Sequence, residues 1–195
     1  MMRILLASAS PRRRELLEML GVKGLVILPA NTDETVTGLP PEETVQAIAL
    51  EKAKAVAGSA AASDVIIAAD TLVYLDGEAL GKPRDAADAA AMLRRLSGNR
   101  HTVYTGVALI QGGRELTFFE RTDVFFRALS EEEIAAYIRT GEPMDKAGAY
   151  GAQGRGAAFI ERIEGDFFNV VGLPLCRLAL TLRELGVDLI GTAPV

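Results

Sequence analysis

The chain has 195 residues, 49% of them hydrophobic and 24% charged, which is enough apolar material for a sizeable core and excludes a disordered chain. A formal net charge of −5 argues against a protein that coats nucleic acid, because such affinity comes from an excess of Lys and Arg. The lone cysteine, Cys176, excludes an internal disulfide and a cysteine zinc cluster, and the lone histidine, His101, excludes a histidine-rich metal site. Cys176 closes the apolar run Leu173-Pro174-Leu175-Cys176, so a buried structural thiol is expected. The N-terminus, Met1 to Ala7, is too short an apolar stretch for a secretory segment, and no run approaches the ~18 apolar residues of a membrane span. A cytoplasmic protein with no membrane partner is the expectation.

Arg3 to Ala7 predicts a buried strand. Ser10 then serves as helix cap, Pro11 takes the first helical position, and Leu16, Leu17 and Leu20 form the apolar face before Gly21. A short strand is expected over Leu25 to Leu28, then a polar loop over Asn31 to Pro40. A long helix begins near Pro41, with Val45, Ile48, Ala49, Ala53 and Val56 at helical spacing and Lys52 on the same stripe. Val65 to Ala69 predicts a strand ending at Asp70, and Asp76-Gly77 predicts a hairpin between Thr71–Leu75 and Glu78–Leu80. A helix over Asp85 to Leu96 precedes two β-rich runs, Thr102–Ile110 and Glu115–Phe126, joined across Gly112-Gly113. Ser130 and Glu133 form a capping box, Gly148 to Gly156 is glycine-rich, Ala157 to Ile163 is strand-like, and Leu175 to Leu185 is a final helix. The alternation followed by a hairpin favours an α/β fold with a mixed, twisted sheet. With no linker or repeat in view, residues 1–195 are read as a single domain.

Candidate chemistry concentrates in a few stretches. In Ser8-Ala9-Ser10-Pro11-Arg12-Arg13-Arg14 a strand feeds a helix N-terminus, where backbone N–H groups and the dipole favour an anion. Arg12 and Arg13 oppose that dipole and cost stability unless an anion sits nearby; the bland alternative is a solvated basic turn. Lys52, on an apolar stripe, must snorkel to water or meet an anion. A carboxylate at the end of a buried strand, Asp70, suits a metal ligand or a base toward water, or else only turns the chain. Gly81-Lys82-Pro83-Arg84 is a basic turn. In Asp145-Lys146-Ala147-Gly148-Ala149-Tyr150-Gly151-Ala152-Gln153-Gly154, the glycines permit close backbone approach to a ligand, and Gln153 offers a donor and an acceptor to a base edge.

Leu6-Ala7-Ser8-Ala9-Ser10-Pro11-Arg12-Arg13, Glu51-Lys52-Ala53, Ala69-Asp70-Thr71, Gly81-Lys82-Pro83 and the run from Gly141 to Gly154 occur in an order that resembles the Maf proteins, nucleoside triphosphate pyrophosphatases. The resemblance implies an elongated, two-lobed α/β fold with a cleft, similar to that of the inosine triphosphatases. It also implies hydrolysis between the α- and β-phosphates with Mg²⁺ or Mn²⁺. Asp70 matches the family's proton acceptor, and Arg12, Thr71 and Gln153 match its specificity positions. Their combination is similar to the branch acting on dTTP and UTP, with modified pyrimidine triphosphates in range. Ser8, Arg13, Lys52, Lys82, Asp145 and Lys146 fall at polar substrate-binding positions, and Glu34 with Asp70 would hold the metal. A homodimer, a house-cleaning role and a link to cell-division arrest are further family expectations, with no stable nucleic-acid binding. Two alternatives remain: the same hydrolysis on another base such as 7-methyl-GTP, and a non-catalytic regulator of septum formation.

Overall fold

The computed structural model describes residues 2–32 and 38–191. β1 (Ile4–Leu6) turns into α1 (Pro11–Met19), whose start is set as expected: the Ser10 hydroxyl accepts from the Arg13 amide and Pro11 opens the helix. β2 is shorter than its apolar run and covers only Val26–Ile27. α2 (Pro41–Ala57) buries Val45, Ile48, Ala49, Ala53 and Val56, with Lys52 buried among them.

β3 (Val65–Leu75) corrects an expectation, because it runs through Asp70 instead of stopping there. The reason lies in its partners. β1 pairs with it in parallel as far as Leu6 against Ile67, and β4 (Glu78–Leu80) pairs with it antiparallel from Val73 against Leu80. β5 (Arg100–Gln111) neighbours β3 in the sheet as well. Asp70 therefore lies between two short ladders, in a strand held extended from both ends. The β3–β4 turn is the predicted hairpin, with Asp76 and Gly77 both left-handed at φ 52° and 85°.

α3 (Ala86–Leu96) and the hairpin of β5 with β6 (Arg114–Phe126) match their patterns, and α4 (Glu131–Arg139) carries the complete Ser130–Glu133 capping box. The glycine-rich region then folds as 3₁₀ turns over Glu142–Asp145, Ala147–Ala149 and Arg155–Phe159. This displaces the expected strand from Ala157. β7 (Ile160–Glu164) starts only where Ile160 meets Phe126, because the Ala157 amide is already committed to the Gly154 carbonyl. α5 (Phe167–Val171) escaped the sequence reading, and α6 (Leu175–Glu184) buries Leu175, Leu178 and Leu182. Cys176 points away from that stripe and is exposed, contrary to the expected buried thiol.

The strands hydrogen-bond in the order β2-β1-β3-β5-β6-β7, with β4 on β3, as a mixed seven-stranded sheet in an α/β fold. Two compact units share the chain: one holds residues 1–70, 105–120 and 172–195, the other 71–104 and 121–171. The core of the first includes Leu5, Ala7, Ala49, Ala53, Ile66, Ala68 and Ala108. There α2 lies so close to β5 that a Cβ on Gly106 would stand 2.3 Å from the Val45 backbone, so only glycine fits. The second unit's core joins Val73, Leu93, Leu96, Val103, Val124, Phe126, Tyr137 and Phe159. Among the described residues no helix is long and apolar enough to cross a membrane.

Candidate active site

In the first unit the central contact is between α2 and β3. Ile66 and Ala68 face Ala49 and Ala53 in one cluster, and strand alternation puts Asp70 on the same face as Ile66 and Ala68. Helical spacing puts Lys52 beside Ala49 and Ala53. The ammonium Nζ of Lys52 accordingly donates to Asp70 Oδ1 at 2.8 Å, with both side chains about nine-tenths buried. Withdrawing a lysine and an aspartate from water costs several kcal/mol each and is offset only by close, directional pairing. A helix that could have carried leucine at residue 52 carries this instead.

The β1–α1 turn is a second built element. Ser8 is buried; its Oγ accepts from the Ser10 amide at 3.2 Å and from the Arg13 guanidinium at 3.2 Å. Arg13 also donates from Nε to the Gly172 carbonyl at 2.9 Å. Arg13 thus clamps the turn to the start of the last segment of this unit. Arg12 is half-buried in the first helical turn, which contains no acidic residue.

In the second unit, Thr71 follows Asp70 on β3 and, by strand alternation, takes the opposite face. Lys82 is exposed in its turn. That turn is tied to the glycine-rich loop by the Gly148 amide, which donates to the Gly81 carbonyl at 3.1 Å. Lys146 donates to the Glu142 carbonyl at 2.7 Å and to exposed Asp145 at 2.6 Å. Gln153 stands exposed at the loop tip. The structure therefore brings Lys52 to Asp70, Ser8 to Arg13, and Asp145 to Lys146. Glu34 lies outside the described residues.

The sequence reading missed what supports the loop. Tyr137 on α4 donates from its hydroxyl to Glu142 Oε1 at 2.9 Å and accepts from the Gly151 amide at 3.1 Å. Glu142 also accepts from the amides of Arg155 at 2.9 Å and Gly156 at 3.1 Å. Behind them, Tyr150 is buried against Phe126, and its hydroxyl lies 2.8 Å from His101 Nε2. Burial holds His101 down at about 4 against a small opposing pull from Asp123, so it is neutral near pH 7. Burial also pushes the phenols of Tyr137 and Tyr150 above their ordinary value. The only hint in the sequence was a glutamate placed shortly before a run of glycines.

Among the described residues no group of three His, Cys, Asp or Glu side chains could hold a metal ion by itself. Asp70 nonetheless has the donor chemistry that Mg²⁺ or Mn²⁺ accepts, a hard carboxylate oxygen used alongside waters and substrate phosphates.

The model of the Maf family, described as "Maf-like protein", matches residues 3–185. The chain is 53% identical to a dTTP/UTP pyrophosphatase of Moorella thermoacetica, covering 98% of this chain and 99% of that one. It is 52% identical to a dTTP/UTP pyrophosphatase of a Geobacillus species, covering 95% and 100%. In fold it is similar to the Staphylococcus aureus Ham1 protein, with a TM-score of 0.53 at 14% identity over 93% of this chain and 98% of that one. By the family match and by identity over nearly its full length, this chain belongs to the Maf family.

Proposed function

We propose that the chain hydrolyses dTTP and UTP, with modified pyrimidine triphosphates as further substrates, to the nucleoside monophosphate and pyrophosphate. The observation that carries this reading is the buried Lys52–Asp70 contact at 2.8 Å, in a chain whose relatives bear the name dTTP/UTP pyrophosphatase. A carboxylate fixed in one orientation by a buried cation is aimed before substrate arrives.

In the proposed reaction, Asp70 takes a proton from water as the water oxygen attacks the α-phosphorus. The bond from that phosphorus to the bridging oxygen breaks, and the bridging oxygen departs on pyrophosphate. Lys52 and Arg12 supply positive charge to phosphate oxygens as negative charge builds there. Ser8 and Arg13, bonded to each other, hold the turn at the N-terminus of α1. A divalent cation held by Asp70 and Glu34 would neutralise phosphate charge when bound. Of the second unit's residues, the family resemblance assigns Lys82 to the phosphates and Thr71 and Gln153 to base choice, with Asp145 and Lys146 as further substrate-binding positions. The reading takes residues 1–195 as one catalytic domain that works in the cytoplasm as a homodimer and clears nucleotides.

The test is pyrophosphate release from dTTP, UTP, dCTP, dGTP and 7-methyl-GTP at one Mg²⁺ concentration. Release chiefly from dTTP and UTP is expected. Release chiefly from 7-methyl-GTP would move the reading to another base, and no release from any would favour a regulator of septum formation.

A further inference from the structure

The loop from Tyr150 to Gly156 is folded around a carboxylate of its own chain. A Cβ on Gly154 would stand 2.4 Å from Glu142 Oε1, and one on Gly156 would stand 2.8 Å from the Tyr137 hydroxyl. A Cβ on Gly151 would stand 2.8 Å from the Lys146 stem. These glycines therefore let the loop come close to Glu142, Tyr137 and Lys146. The Glu142 carboxylate and the Tyr137 hydroxyl together take the amides of Gly151, Arg155 and Gly156, which bracket Gln153 on both sides. The Tyr137 ring is itself held edge-on against Phe159, 4.9 Å between centroids.

From this geometry we infer that Tyr137 and Glu142 are positioning residues for base selection: they set the path of the Gly151–Gly156 loop and, through it, the placement of Gln153. The inference rests on the proposed role of Gln153 in choosing the base. A side chain that reads a base edge must be placed to a few tenths of an ångström, and an exposed residue on a glycine-rich loop cannot be so placed by packing. Here amide-to-carboxylate and amide-to-hydroxyl bonds supply the constraint.

The test uses Tyr137→Phe, which keeps the ring and removes only the hydroxyl, beside Glu142→Gln. Steady-state kinetics on dTTP, UTP, dCTP and dGTP would be combined with thermal melting. In Tyr137→Phe the preference for dTTP over dCTP, as a ratio of kcat/KM, should fall about tenfold, mostly through a higher KM for dTTP. In a Gln153→Ala background the same substitution should change that ratio less than about twofold, because its path of action is already gone. A lower melting temperature with an unchanged preference, or effects that add to those of Gln153→Ala, would overturn the inference. If Glu142→Gln does not fold, Tyr137→Phe decides alone. Wild-type protein inactive on every triphosphate would instead remove the reading on which the inference rests, an outcome visible before any variant is made.

Discussion

Asp70 in the first unit and Glu142 in the second are both drawn away from bulk water, and they are satisfied in opposite ways. Asp70 meets a buried ammonium, that of Lys52, in surroundings of Ala49, Ala53 and Ala68. Glu142 is hydrogen-bonded by neutral donors, two backbone amides and a phenol, with the Lys146 charge acting only at longer range. Partial burial pushes the Glu142 carboxyl up, but those donors, with the charge of Lys146, outweigh it and hold the group below the usual range. A carboxylate wrapped by amides of its own loop has its acceptor capacity taken up and shapes the backbone. A carboxylate facing one lysine on an apolar helix is costly to keep, and a polar ligand or reacting group gives the cost a purpose. Similar chemistry thus serves structure in one region and, in the proposed mechanism, reaction in the other.

The sharpest way to break this comparison is Asp70→Asn, which should lower turnover by about 10²-fold or more, the range for losing a positioned base. Pyrophosphate release near the wild-type rate would place the reaction elsewhere. Next, Lys52→Met should cost about 3 kcal/mol of stability, because it leaves Asp70 buried without its cation. Denaturant unfolding should show part of that recovered in the Lys52→Met, Asp70→Asn double variant. A double-variant loss equal to the sum of the Lys52→Met and Asp70→Asn losses would mean the two groups are not coupled.

The second region should respond to acid through His101, and the sign follows from its lowered value. The folded state resists the proton that the unfolded chain accepts near 6.5, so stability is complete above that pH and is lost as pH falls toward about 4. The loss should reach about 2 kcal/mol at pH 5 and be absent in His101→Phe, read from unfolding curves across pH. The smallest effect expected is that of Gln153→Ala, an approximately tenfold loss of preference among bases with turnover less affected. A uniform fall on all triphosphates would remove Gln153 from base choice.

Lys52 shows how far the linear pattern reaches. Its place on the apolar stripe of α2 was legible, and so was its need for an anion. That the anion is Asp70 was not, since only the packing of α2 against β3 brings positions 52 and 70 to 2.8 Å. Asp70 was misplaced at a strand end because a charged residue after five apolar ones reads as a boundary. The continuation of β3 depends on partners far along the chain. The basic turn marks Arg13 as a candidate substrate-binding cation, but nothing in the turn itself foretells its bond to the Gly172 carbonyl.

What the linear sequence determined by itself is the local code. Caps at Ser10 and Ser130, the Asp76-Gly77 turn and the amphipathic stripes depend on near neighbours in the chain, and the motif order that marks the family is read along it. Tertiary structure alone decided which polar groups meet: Lys52 with Asp70, Arg13 with Gly172, Glu142 and Tyr137 with the loop around Gln153. The physical reason is range. Propensity and periodicity act over a turn or two of chain, whereas the cost of burying a charge is met only by a partner that the whole fold brings within about 3 Å.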